Sequence, residues 1–313
     1  MATRLIGRPL HYVIKIGDRR KAIDFYVEKL GMRVLRHEEF VEGCKADCNG
    51  PFNGIWSKTM VGYGSEDDNF VIEMTYNYEI GGYKRGNDLH GLYLCNQPLF
   101  ENLLSGGHEK NEASTVCSSP HKLKRKGLLS LRDPDGNAIF VGDGEFGPAI
   151  CRIALNVTDL DRSVAFWSDA LGMNVAHEGS DEVRLQYEGN TPRNWQLVLR
   201  SLRGELINRA SAYGRTAFAC PTDKLPALEE AVKQSTLKTG GSVLKPLVAL
   251  DTPGKATVHV VILADPDGHE ICFVGCEAFR ELSKEDESSP EELERAMKKD
   301  TSDEWFEGGK PIV

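Results

Sequence analysis

The chain has 313 residues, too many for one compact module and about right for two ordinary domains. Its 38 basic and 47 acidic residues give a net charge of −9, which argues against a nucleic-acid or anionic-membrane surface. With 40% hydrophobic and 27% charged residues it can bury two cores, and no apolar run approaches the roughly 20 residues of a membrane span, so disordered and transmembrane classes are excluded.

Met1-Ala2-Thr3-Arg4-Leu5-Ile6-Gly7-Arg8 lacks the apolar centre of a signal peptide. No acid precedes Asp18, which leaves a mitochondrial address open beside a cytoplasmic one. The eight cysteines, at 44, 48, 95, 117, 151, 220, 272 and 276, are therefore read as free thiols in a reducing compartment. Cys44 to Cys48 and Cys272 to Cys276 are both one residue too wide for a CxxC redox pair.

A first module runs from Leu10 to about Tyr78. Its first strand is His11 to Ile16 and its last Phe70 to Tyr76. Between them, Asp18 to Tyr26 has a polar N-cap, apolar residues at helical spacing, and a stop at Leu30-Gly31-Met32. The Gly/Asn/Pro-rich stretch Glu42 to Lys58 reads as an insertion. A second module, about Gly91 to Gly142, has a short helix at Leu99 to Leu104 and a hairpin turning at Asp133-Pro134-Asp135-Gly136. The basic run His121 to Lys126 reads as a solvated hairpin loop. A third module covers Cys151 to Leu202, and its helix, opened by Asp159, stops at Leu171-Gly172-Met173. A fourth covers Arg215 to Val274, with a helix near Leu225 to Gln234 and a second turn, Asp265-Pro266-Asp267-Gly268.

The two DPDG turns are 132 residues apart and the two Leu-Gly-Met stops 141, and the insertion accounts for the difference. The chain is thus an α+β protein of four βαβββ modules in two tandem domains, 1–148 and 149–277, followed by an extension, 278–313. Sheets that curl around a cleft make the cleft the natural binding site. The extension carries most of the charge, since residues 277–307 hold 12 acids against 5 bases while the body is near neutral. Ser289-Pro290-Glu291-Glu292 opens a short helix there, and Trp305 and Phe306 are expected to dock on the core, with a protein partner as the other reading.

His11-Tyr12-Val13-Ile14-Lys15-Ile16-Gly17-Asp18, Phe25-Tyr26, Leu30-Gly31-Met32, Ile72-Glu73-Met74-Thr75-Tyr76-Asn77 and the DPDG turn together resemble glyoxalase I and the wider vicinal-oxygen-chelate superfamily. The resemblance spans nearly all of residues 10–275. The insertion Gly43 to Gly54, the run Ser57 to Gly62, the stretch Leu250 to Leu282 and Ser302-Asp303-Glu304-Trp305-Phe306 look more specifically like an animal branch of it.

The resemblance implies a divalent metal, zinc or nickel, that chelates two adjacent substrate oxygens, and as substrate the hemithioacetal of methylglyoxal with glutathione. Such an ion would stabilise an enediolate while a carboxylate shuttles the proton. In this family each of two paired modules supplies one ligand from its first strand and one from its last. Here module one matches with His11 and Glu73, Glu73 being also the catalytic carboxylate. Lys15 and Asn77 match positions that touch glutathione, each four residues beyond a ligand and so on the same strand face. Module two departs from the pattern, with Gly91 and Phe140 at its ligand positions and His90 one residue out of register. Module three offers Arg152 and Val198, which form no site, and module four Arg215 and Cys272.

Pairing of module one with module four would give an open His11, Glu73, Cys272 metal set, with Arg215 beside it to bind substrate. The favoured alternative is metal-free, Arg215 neutralising Glu73 directly. Three functions stay open: a metal-dependent lactoylglutathione lyase-type enzyme with an incomplete site, a pocket that binds glutathione adducts without efficient turnover, and a protein-interaction module on the same fold. The tandem modules suggest a monomer that contains its own pseudo-dimer, with no nucleic-acid or membrane partner.

Overall fold

The computed structural model describes residues 7–105, 127–144, 147–189, 194–251 and 256–313. Module one is β1 (Arg8–Ile16), α1 (Arg19–Ile23), which runs on as a π-helical turn over Asp24–Lys29, β2 (Arg33–Phe40), β3 (Trp56–Gly62) and β4 (Val71–Asn77). Module two has β5 (Leu89–Cys95), α2 (Gln97–Leu104), β6 (Leu128–Arg132) and β7 (Ala138–Gly142). Module three is β8 (Ala149–Val157), α3 (Leu160–Ala165) with a second π turn at Phe166–Ala170, β9 (Asn174–Glu178), β10 (Glu182–Gln186) and β11 (Gln196–Ser201). Module four is β12 (Arg215–Cys220), α4 (Leu225–Thr239), β13 (Ser242–Leu250), β14 (Val258–Ala264) and β15 (Glu270–Gly275). The extension forms α5 (Cys276–Leu282), α6 (Ser289–Lys299) and a 3-10 turn at Ser302–Trp305. The basic run at 121–126 and Cys117 lie outside the described residues. Among the described residues no helix is long and apolar enough to cross a membrane.

The first helices of modules one and three begin and end alike. Asp18 accepts from the Lys21 backbone N–H at 3.1 Å, and Asp159 from that of Arg162 at 3.0 Å. Gly31 at φ +73° and Gly172 at φ +77° end them in the left-handed conformation that glycine adopts without steric penalty.

The strands form two mixed sheets. One has the order β13-β14-β15-β12-β1-β4-β3-β2 and the other β6-β7-β5-β8-β11-β10-β9. Module one therefore shares a sheet with module four, and module two with module three. The junctions are antiparallel, β1 on β12 with Val13 opposite Arg215, and β5 on β8 with Tyr93 opposite Arg152.

Each DPDG turn ties the two modules of its own half together. Asp133 accepts from the buried Tyr26 hydroxyl at 2.6 Å and from Asn137 N at 2.6 Å, and Asp135 accepts from Gly17 N at 2.9 Å. In the second half Asp265 accepts from Trp167 Nε1 at 3.3 Å and from His269 N at 2.9 Å, and Asp267 from Thr158 N at 3.0 Å.

One face of each sheet contributes to a single large core. Ile14, Ile72 and Phe273 enter it from the first sheet, and Ile139, Ile153 and Leu199 from the second. Phe218 of β12 meets Trp167, Tyr187 and Trp195 of module three edge-on, and Phe70 stacks on Trp195 at 4.7 Å. On its other face the first sheet carries a second apolar cluster, with Leu10, Val260 and Val274 against Phe279, beside the buried polar residues of β1 and β4.

The acidic extension docks on module one. Its carboxylates reach arginines there, Asp300 to Arg19 at 2.7 Å, Glu294 to Arg20 at 2.9 Å and Glu285 to Arg33 at 3.2 Å. Trp305 lies over Tyr78 with ring centroids 6.4 Å apart. The last residues return along Gly81 to Lys84, with Gly81 N donating to Pro311 O and Lys84 N to Val313 O, both at 2.9 Å. A groove of about 400 Å³ remains between α6 and β2, lined by His37, Glu39, Tyr78, Glu292, Arg295 and Lys299.

Candidate functional site

Alternation along the strands sets His11, Val13 and Lys15 of β1 on the face of the first sheet away from the large core, together with Glu73 and Asn77 of β4. Arg215, Ala217 and Cys272 extend that face across β12 and β15. His11, Lys15, Glu73, Asn77 and Arg215 are all buried. The structure thus gathers the residues expected from sequence onto one surface.

His11 and Glu73 meet directly, Nε2 lying 3.4 Å from Glu73 Oε2. The other ring nitrogen, Nδ1, donates to Glu66 Oε1 at 2.5 Å, and Glu66 Oε2 accepts from Arg36 Nη1 at 2.7 Å. Glu66 is fully buried. Burial alone would raise its carboxyl, but Arg36 and then His11 hold it down at about 2. With Nδ1 committed to Glu66, Nε2 is the nitrogen left facing Glu73.

Sequence reasoning missed Glu66. It sits in Ser65-Glu66-Asp67-Asp68, a loop whose composition reads as solvated, and no periodic pattern marks it as buried.

Arg215 does not neutralise Glu73, contrary to the expectation. Its Nη2 and Nε donate to Glu270 Oε2 at 2.7 and 3.0 Å, and Nη1 and Nη2 donate to the carbonyls of Ala46 and Asp47 at 2.9 and 3.1 Å. Register explains the choice. Glu270 is opposite Arg215 on the adjacent strand, whereas Glu73 shares the row but stands beyond Val13, two strand spacings of about 4.8 Å away. Glu270 is the carboxylate that Arg215 pairs with.

The insertion covers this face. Asn49 Nδ2 donates to Asn77 Oδ1 at 2.9 Å, and Asn77 Nδ2 donates to Asn49 O at 3.0 Å and to Tyr83 Oη at 2.8 Å. Asn77 therefore anchors the insertion. Gly50 lies against the Lys15 stem, where an added Cβ would come within 3.2 Å of Lys15 Cε. Ala46, with Cys44 and Cys48, packs against Ala217, Ala219, Phe279 and Leu282. Cys44 and Cys48 are joined as a disulfide rather than free, because the tight turn through Asp47 at φ +52° brings their Cα atoms to 5.4 Å. The remaining described cysteines are free.

Lys15 ends in a small cage. Its Nζ donates to Ser211 O at 3.0 Å and Tyr213 O at 2.9 Å, and lies 3.4 Å from the Tyr213 ring centroid. Burial lowers this ammonium to about 7, with Arg209 and Arg215 adding to the effect and Glu270 opposing it.

A resident divalent ion does not fit this donor set. Burial pushes the Cys272 thiol up to about 11, which leaves His11 Nε2 and Glu73 as the two donors of the expected set. Arg215 brings a guanidinium to the remaining family position. Among the described residues, no three His, Cys, Asp or Glu side chains converge as a metal would need.

The corresponding face of the second sheet differs. A bulge between Leu89 and Gly91 turns His90 onto it, where the ring stacks on Phe140 at 5.2 Å. Gly91 is required there, since a Cβ would come within 2.6 Å of Ala138 O. His90 nevertheless makes no metal site. Arg200 Nη1 donates to its Nε2 at 2.5 Å, and burial first, then Arg200, lowers its pKa to about 4.

Comparison with known proteins places the fold. The Glyoxalase/Bleomycin resistance protein/Dioxygenase superfamily profile matches residues 8–141, and the profile of the glyoxalase domain-containing protein 4-like C-terminal domain matches 159–282. Glyoxalase domain-containing protein 4 of Mus musculus is 46% identical over 308 residues, covering 98% of this chain and 97% of its own. Glyoxalase 1 of Caenorhabditis elegans is 44% identical over 302 residues, covering 96% and 100%. The crystal structure of glyoxalase I from Zea mays superposes with a TM-score of 0.68 at 25% identity, covering 88% of this chain and 94% of that one. Built from two tandem glyoxalase-fold halves and alike over nearly its full length to proteins of that name, the chain belongs to the Glyoxalase/Bleomycin resistance protein/Dioxygenase superfamily.

Proposed function

We propose that the chain is a glyoxalase I-like protein of the 2-oxoaldehyde detoxification class, which binds glutathione adducts on the polar face of its first sheet without metal-driven turnover. The observation that carries this reading is the pairing of His11 Nε2 with Glu73 at 3.4 Å, on the same face as Lys15 and Asn77. In a bound hemithioacetal, Glu73 is placed to take the proton next to the carbonyl, and His11, steadied by Glu66, to return it. Lys15 supplies a cation for a glutathione carboxylate once it releases the carbonyls of Ser211 and Tyr213. Ligand entry requires the 43–54 segment to lift, since Asn49 and Gly50 lie on Asn77 and Lys15. A cleft in which Lys15, Asn77 and Arg215 already hold partners of the chain favours binding over rapid catalysis.

Calorimetric titration with S-lactoylglutathione tests the binding, and an assay of lactoylglutathione formation from methylglyoxal and glutathione, with chelator and then with added zinc or nickel, tests turnover. The expected result is binding that Glu73→Gln weakens, with no metal-dependent rate. Absence of binding would remove the glutathione-adduct reading. A metal-stimulated rate abolished by His11→Ala would remove the metal-free one.

A further inference from the structure

We propose that the Cys44–Cys48 disulfide is a reducible lock, which a small thiol such as glutathione opens to free Arg215 on the polar face of the first sheet. The lock regulates the glutathione-adduct site proposed above and rests on that reading.

The disulfide joins residues only 4 apart at the start of the insertion. Inside this ring Asp47 N donates to Cys44 O at 2.8 Å, and Asp47 sits at φ +52°, a left-handed conformation that side chains with a Cβ seldom adopt. Such a conformation persists where the surrounding structure imposes it, and the ring does so here. It turns two backbone carbonyls outward together. Those of Ala46 and Asp47 accept from Arg215 Nη1 and Nη2 at 2.9 and 3.1 Å, donors that would otherwise be free for a carboxylate of a ligand. The ring also orients the residue that follows it. Cys44 N donates to Asn49 Oδ1 at 3.1 Å, and Asn49 Nδ2 donates onward to Phe52 O and Asn77 Oδ1, both at 2.9 Å. One covalent bond thus supports both places where the insertion seals the face.

The remaining outer contact is weak, since the ion pair of Asp47 with Lys245 at 2.9 Å is half-exposed and screened by water. Cys44 and Cys48 are themselves half-exposed, so a thiol in solution can reach them, whereas Cys220 is buried. Among the described residues this is the one disulfide, and the other described cysteines are free.

In the first step a thiolate RS⁻ attacks one sulfur of the pair, forms a mixed disulfide with it and releases the other cysteine as thiolate. A second RS⁻ attacks the RS sulfur of the mixed disulfide, RS–SR departs, and the second cysteine thiolate is released. Both take protons from water. The protein disulfide gains two electrons and two small thiols lose them. Without the ring Asp47 leaves the left-handed region, the two carbonyls turn away, and Arg215 keeps Glu270 while its other donors become available.

The test uses the full chain purified without reductant, before and after treatment with glutathione, with thiols counted by alkylation and peptide mass spectrometry. Glutathione is expected to expose Cys44 and Cys48 to alkylation and to accelerate hydrogen exchange across residues 43–54 by about tenfold or more. S-lactoylglutathione is expected to associate several-fold faster with the reduced chain. The double variant Cys44→Ser, Cys48→Ser should match the reduced chain whether or not thiol is added. Two outcomes in the unmodified chain would overturn the proposal: both cysteines alkylated before any thiol is supplied, or exchange across 43–54 unchanged by reduction. Exchange that responds while neither form binds S-lactoylglutathione would support the lock and remove the glutathione-adduct reading instead.

Discussion

Replacing Glu66 with glutamine is expected to remove about 3 kcal/mol of stability at pH 7. The side chain is completely buried and divided between two partners, His11 Nδ1 at 2.5 Å and Arg36 Nη1 at 2.7 Å. Arg36 is itself buried, and its Nε already has no hydrogen-bond partner, so it depends on Glu66 for compensation. Two routes give the magnitude. A carboxyl held at about 2 instead of the ordinary 4.5 is displaced by two to three pH units, which corresponds to ~3 kcal/mol. Removing one partner of a buried ion pair costs about 3–5 kcal/mol, in the same range. Because the folded-state value is depressed, the stabilisation is complete above 4.5 and is lost as pH falls from there toward 2. Urea denaturation of wild type and Glu66→Gln, followed by tryptophan fluorescence, should therefore show a gap at pH 7 that narrows by about half at pH 3. A gap below about 1 kcal/mol at pH 7, or one unchanged at pH 3, would refute the clamp.

Lys15 is lowered to about 7 in the fold and titrates near 10.5 when unfolded, so between those values the unfolded chain binds more protons and stability rises with pH. Lys15→Met should abolish that rise in denaturation midpoints between pH 7 and 9, and a rise that persists in the variant would assign it to another group. Tyr26→Phe should cost about 1 kcal/mol and Asp133→Ala about 3 by chemical denaturation, because the second change leaves the Tyr26 hydroxyl and both Asn137 donors without their acceptor; equal effects would deny the turn its role as a clamp. Deleting residues 307–313 should accelerate hydrogen exchange at the Gly81 and Lys84 amides, which donate to Pro311 and Val313, and unchanged protection would place the tail elsewhere.

What could be read in the sequence was local. Asp18 and Asp159 as caps, Gly31 and Gly172 as stops, and the DPDG hairpins depend on near neighbours, and all of them stand in the structure. So does the face shared by His11, Lys15, Glu73 and Asn77, which follows from strand alternation. What could not be read depends on which strands become neighbours. Arg215 meets Glu270 instead of Glu73 because β15 lies beside β12 while β1 stands between β12 and β4. Glu66 and Asn49 come from segments whose composition suits solvent, yet both are fully buried once the polar face closes over them. The same closure makes Asn77 an anchor for the insertion.

The two kinds of connection between modules lead to a last expectation, that neither half folds alone. The sheets join module one to four and two to three, while the DPDG turns join one to two and three to four. The four modules thus form a closed ring of contacts in which each one holds both neighbours. A chain ending near residue 148 would keep the Tyr26–Asp133 clamp but leave β1 without β12 and β5 without β8. Each of those two strands would then carry an open edge, a template for aggregation. The core would be divided as well, since Phe70 would lose Trp195, and Ile139 the residues of β8 and β11 that share its cluster. Residues 1–148 and 149–313 expressed separately should therefore be insoluble or unfolded by near-ultraviolet circular dichroism, and mixing them during refolding should restore a native-like spectrum. If residues 1–148 alone gave a cooperative unfolding transition, the tandem halves would be self-sufficient units and the ring of contacts would be incidental to folding.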